Sequence, residues 1–160
     1  MTTTMRFPYA RFLDRLGPPD APVAAVASAE LSPLLAQLLL NSGEPATWTA
    51  MAASLTALLH ARKATLQAAF DTTLAADELR RYQKYAKPGK PSAHIVQLRQ
   101  KQAAARQASS LSRQSLIKAA AAFVREAGIE VPERVALDEF IIHWIDANVP
   151  RDSGAGATPS

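Results

Sequence analysis

Arg99, Arg106 and Arg113 recur every seven residues, and each is followed by a glutamine. On an unbroken helix such positions drift only about 20° per repeat and stand about 10 Å apart, forming a ridge. The guanidinium is a planar, permanently charged donor array, and the glutamine amide adds a neutral donor and acceptor. That combination suits a nucleic-acid backbone. The repeat lies in a block, residues 79 to 125, that holds eleven basic side chains and no acidic one. A solvated helix face ordinarily mixes signs to gain i,i+4 pairs, so the missing carboxylates are the informative feature. Earlier in the block Arg80, Arg81, Lys84, Lys87 and Lys90 surround Tyr82, Tyr85 and the breaker KPGKP, and Lys101 and Lys118 lie further along. Tyrosines set among cations can stack on unpaired bases, but at this spacing both rings read more readily as core residues. The candidate phosphate contacts are therefore Arg80, Arg81, Lys84, Lys87, Lys90, Arg99, Lys101, Arg106, Arg113 and Lys118.

Other chemistry finds little support. His60, His94 and His143 are solitary, without the His-x-x-x-His or His-Glu spacing of a metal-binding helix. His143, beside Ile142, Trp144 and Ile145, reads as a core or interface histidine. Asp77 with Glu78, and Asp138 with Glu139, are adjacent and so point in different helical directions. The six glycines are scattered rather than gathered into a phosphate-cradling loop, and cysteine is absent. Thiolate chemistry, disulfides and cysteine-ligated zinc are thereby excluded. The expectation is a protein without a catalytic site, metal or cofactor.

Two resemblances fall within the basic block. LSRQSLIKAA resembles the start of the second helix of ribbon-helix-helix DNA-binding proteins. HIVQLR resembles their DNA-contacting strand, with Gln97 and Arg99 on one side and Val96 and Leu98 on the other. The spacing departs from that family, since QKQAAARQASS is short and lacks large apolar residues for a buried first helix. A helix-turn-helix is the other arrangement, with QAAARQA and SRQSLIKAA as helices and residues 109 to 111 as the turn. Neither pattern is close enough to carry functional residues across.

The elements that must position these side chains read as helices. Tyr9, Phe12, Leu13 and Leu16 fall at helical spacing between Pro8 and Gly17. Ser32 and Pro33 open a helix that Gly43 can close. Trp48, Met51, Leu55, Leu58 or Leu59, Leu66 and Phe70 mark a long helical face. Asp71 and Thr73 offer new caps, so the helix either bends there or gives way to another whose inner face is Leu74, Leu79, Tyr82 and Tyr85. KPGKP predicts a loop. Ser92 can cap the alanine-rich run that follows, which ends at Gly128, with Ser109 to Ser112 as a point of division. Val135, Leu137, Phe140, Ile141, Trp144 and Ile145 predict a buried helix ending before Pro150. The fold class expected is all-α, an irregular bundle of five to seven helices. It forms one domain over residues 1–149, with the basic segment 79–127 inside it and a disordered tail at 150–160.

No apolar run is long enough to span a bilayer, and the arginines of the N-terminus are interrupted by Asp14, so the cytoplasm is the expected location and a membrane is not an expected partner. Net charge is −2 over residues 1 to 78, +11 over 79 to 125 and −5 over 126 to 160. Such a block attracts polyanions. The function expected is a small accessory or regulatory protein that binds nucleic acid, DNA or RNA, through phosphates. The alternative is a helical adaptor or structural subunit whose basic ridge meets an acidic protein surface, including that of another copy in a homo-oligomer.

Overall fold

The computed structural model describes residues 5–43, 45–84 and 93–152, and the chain in it is mostly helical. Six helices occur among these residues: α1 (Ala10–Arg15), α2 (Ala25–Glu30), α3 (Pro33–Leu39), α4 (Ala50–Lys84), α5 (Ala93–Ala127) and α6 (Leu137–Asn148). A short antiparallel pair, β1 (Leu40–Asn41) and β2 (Thr47–Trp48), lies between α3 and α4.

Two local expectations hold in detail. The Ser32 hydroxyl accepts a hydrogen bond from the Leu35 amide at 3.2 Å and caps α3, with Pro33 in its first turn. Gly128, at φ +70°, closes α5, and the Ile129 amide reaches back to the Val124 carbonyl at 3.0 Å.

Trp48 departs from expectation. It stands in β2 opposite Leu40 rather than on the α4 face, because its backbone is taken by the preceding loop: its amide donates to Ala21 and its carbonyl accepts from Asp20. Its buried ring fills the space a side chain at Gly17 would need, since a Cβ there would lie 2.8 Å from the indole.

α4 and α5 are each 35 residues long and continuous. Asp71 and Thr73 do not restart the helix, because their side chains are satisfied within it. Gln67 donates to Asp71, and Thr72 and Thr73 donate to the Ala68 and Ala69 carbonyls at 2.8 and 3.1 Å. Ser112 likewise donates to the Ser109 carbonyl, and α5 does not divide there. HIVQLR is therefore helical and residues 109 to 111 are not a turn, which removes the basis for both the ribbon-helix-helix and the helix-turn-helix resemblance.

The two long helices run antiparallel, as contacts between Ser54 and Glu126, Thr72 and Ala105, Glu78 and Lys101, and Tyr82 and His94 require. Their facing residues follow a heptad pattern of alternating three- and four-residue steps. On α5 the seam is Ile95, Leu98, Gln102, Ala105, Ser109, Ser112, Leu116, Ala119 and Phe123; on α4 it is Leu58, Ala61, Thr65, Ala68, Thr72, Ala75 and Leu79, all buried or half-buried. Small side chains dominate mid-seam and let the backbones approach, so the Thr72 hydroxyl comes within 3.4 Å of the Ala105 carbonyl oxygen.

The main core lies at one end of this hairpin. Phe7, Tyr9, Phe12, Leu35, Leu39 and Trp48 pack there with Leu55, Leu58 and Leu59 of α4, Leu116, Ala120 and Phe123 of α5, and Ile141, Trp144 and Ile145 of α6. This cluster reaches only to Leu66 on α4 and Leu116 on α5, while Leu79, Ile95 and Leu98 form a second small cluster near the other end. The stretch of α4 past Leu66 thus extends about 27 Å as an arm with α5. At the base α1 to α3 and α6 cover one side of the hairpin, where Ala52, Leu55, Leu59 and Ala120 are buried; on the other side Ala53, Ala57, His60, Ala64, Ser115 and Lys118 are exposed. Past α6 the chain stays with the fold as far as Asp152, whose carboxylate accepts from the Arg11 amide at 2.9 Å and whose own amide donates to Pro8.

Candidate nucleic-acid interface

The heptad seam sorts the basic block into faces. Arg99, Arg106 and Arg113 each directly follow a seam residue (Leu98, Ala105 and Ser112) and so share one side of the arm, about 10 Å apart. All three are exposed. The same stripe, one heptad further, is Ala120, fully buried at the base. The arginine ridge therefore continues the face that the head of the molecule covers, and emerges where that cover stops.

Lys101 stands on the opposite side of the seam, where Glu78 meets its ammonium at 3.1 Å. Asp71 lies on that side too, one residue before seam position Thr72, as Glu78 precedes Leu79. Lys118 and Arg81 also belong to it and are exposed. Arg80 lies toward the arginine face and pairs with Asp77 at 3.3 Å, both largely exposed. Lys84 ends α4 on its outer surface. Lys87, Lys90 and Tyr85 lie outside the described residues.

The eight described candidates thus do not form one patch. Arg99 and Arg106 are the core of the cationic face, and among the described residues neither has an ion-pair partner. Arg113 differs: its Nε donates to Asp138 of α6 at 2.9 Å, and that carboxylate's side chain is only 13% exposed. It is a link between arm and head as well as the lowest step of the ridge.

Tyr82 is not a core residue as the spacing implied. It occupies the last seam position on α4, with 46% of its surface exposed, and meets His94 edge-on at 4.4 Å. His143 is likewise exposed, because α6 buries Ile141, Trp144 and Ile145 and turns position 143 outward. Among the described residues no group of three His, Asp or Glu could hold a metal ion, and no helix is long and apolar enough to cross a membrane.

A polar cluster at the base had no signal in the sequence, because its members are far apart along the chain. The Tyr9 hydroxyl donates to Asp146, and the Arg151 guanidinium lies 3.6 Å from the same carboxylate and 5.8 Å above the Tyr9 ring. Burial first, and then Asp146, push the Tyr9 pKa up. Arg62 lies near them with Nε buried and no hydrogen-bond partner; burial lowers its pKa, against the pull of Asp146. This cluster ties the start of α1 to α6 and to the segment after it, with Arg62 of α4 close by.

Compared with protein families, characterised proteins and experimental structures, the chain matches none.

Proposed function

We propose that this is a nucleic-acid-binding protein of accessory or regulatory type, without catalytic activity, that grips phosphates with the arginine face of its arm. The observation that carries the reading is the placement of Arg99 and Arg106 in register on one uninterrupted helix, exposed, on the side of the arm away from Asp71 and Glu78. A rigid helix fixes the spacing of its charges, so binding loses little conformational freedom beyond that of the side chains. From Arg99 to Arg113 the ridge is about 20 Å long, the rise of about six base pairs of duplex. Contacts of this kind position a protein on a backbone without reading sequence.

Fluorescence anisotropy of the full chain on duplex DNA and on RNA, from about 50 to 200 mM salt, tests the proposal. Affinity is expected to fall with a log–log slope of about −0.9 per phosphate contacted on duplex DNA. Arg99→Gln with Arg106→Gln should flatten that slope by about two contacts, and Lys118→Gln, on the other face, should leave it unchanged. Folded protein that binds no nucleic acid at about 50 mM salt would sink the idea.

A second reading is supported by Arg113, which pairs with a carboxylate of α6. On that reading the protein is an adaptor or structural subunit whose ridge meets an acidic protein surface. Loss of protein capture in the Arg99 and Arg106 variants, with nucleic-acid binding intact, would favour it.

A further inference from the structure

On the side of the hairpin opposite the head, among the described residues, small and apolar side chains are interspersed with the charged Asp71, Glu78, Arg81, Lys101 and Lys118. α4 presents Ala53, Ala57, Ala64, Gln67 and Leu74 there, and α5 presents Ala104, Ala108, Leu111 and Ser115, all exposed or partly exposed. Leu74 and Leu111 are exposed by 41% and 55%. They flank a shallow groove of about 300 Å³ lined by Ala64, Ala68, Ala105 and Ala108 with Gln67, Asp71 and Ser112. A helix pair with exposed leucines beside an alanine groove offers both knobs and holes.

We propose that this face is the interface of a homodimer, in which two hairpins lie side by side as a four-helix bundle. Three observations select a second copy of the chain as the occupant. First, the face is self-complementary in shape: with the two arms aligned tip to tip about a two-fold axis, Leu74 of one copy falls level with Ala104 and Ala108 of the other. Second, it is self-complementary in charge, since the same alignment sets Glu78 and Lys101 against Lys101 and Glu78 of the second copy. Third, the area suffices: two helices about 52 Å long and about 10 Å wide offer roughly 1,000 Å² per copy, against the roughly 800 Å² of a standard stable interface. The head packs on the other side of the hairpin and does not obstruct the approach. Both arginine faces would remain exposed, pointing away from each other.

Sedimentation of the full chain, freed of nucleic acid, at about 50 µM, well above a micromolar Kd, decides the question. A species of twice the 17.2 kDa chain mass is expected, converting to monomer in Leu74→Glu with Leu111→Glu while far-UV circular dichroism stays unchanged. Wild-type monomer at that concentration overturns the proposal, and so does a dimer that survives the double variant. A dimer lost instead in Val26→Glu, which alters an exposed residue of α2, places the interface elsewhere and also overturns it. Arg99→Gln with Arg106→Gln should leave the dimer intact, so the dimer and the phosphate-binding face can fail independently.

Discussion

Arg99, Arg106 and Arg113 share a spacing and a face but not a role. The first two are expected to leave stability within about 0.5 kcal/mol when changed to alanine, as exposed surface substitutions do. Arg113→Ala strands the mostly buried Asp138 carboxylate and should cost about 1 kcal/mol, read as a lower urea midpoint with unchanged slope. A binding test that includes Arg113 therefore mixes stability with contact. Tyr9 gives a pH signature. Its folded pKa is raised by burial and by Asp146, so its contribution is complete below the ordinary tyrosine range near pH 10 and is lost as pH rises through it. Stability should fall above about pH 10 in the wild type, and Tyr9→Phe should remove that part of the slope. Gly17→Ala forces a methyl group against the Trp48 indole, at 2.8 Å from two ring atoms. It should destabilise by about 1 to 3 kcal/mol, an overpacking cost measurable in the same unfolding experiment.

At the scale of elements, α4 and α5 differ along their length. At the base their seam carries Leu58, Leu116 and Phe123 inside a core shared with α1, α3 and α6. In the arm it carries Thr65, Ala68, Thr72 and Ala75 against Gln102, Ala105, Ser109 and Ser112, which bury little apolar surface per layer. Hydrophobic stabilisation scales with that area, and local opening follows low apolar contact. Amide exchange should accordingly be faster at Thr72 and Ala105 than at Leu58 and Leu116, with the Leu79, Ile95 and Leu98 cluster partly restoring protection toward the tip. Equal protection along both helices in a monomeric variant would contradict this account. The hairpin's length reflects the same residues: Thr72, Thr73 and Ser112 return their hydroxyls to carbonyls within the helix, so residues that cap helices elsewhere leave these unbroken.

In the whole molecule, three surfaces are separated by one hairpin. Its covered side builds the core, its exposed upper part on that side carries the arginines, and its far side carries alanines and leucines with charges of both signs. The C-terminal segment closes the base, where Asp152 receives the Arg11 amide and Arg151 joins Tyr9 and Asp146. Ending the chain at Val149 should cost about 1 kcal/mol through the lost bond to α1, seen as a lower midpoint of unfolding, and should leave the arm's affinity for polyanions unchanged.

The positions of α1, α6 and the long helices, the caps at Ser32 and Gly128 and the acid-free block were determined by the sequence itself, because each depends on local patterning. By contrast, α2 had no signal and α3 ends at Leu39 rather than at Gly43. The seven-residue spacing of the arginines already implied a common face, provided the helix did not break. What the sequence left open was whether Ser109 to Ser112 and Asp71 to Thr73 interrupt their helices, since those residue types serve equally as caps and as self-bonded helix residues. It also left hidden that Trp48 belongs to a strand, that Tyr82 is exposed, and that Lys101 and Arg113 meet carboxylates 23 and 25 residues away. Only the tertiary structure decides these, because the antiparallel pairing of α4 with α5 sets which side of each helix is inside, and local patterning carries no information about the partner across the seam.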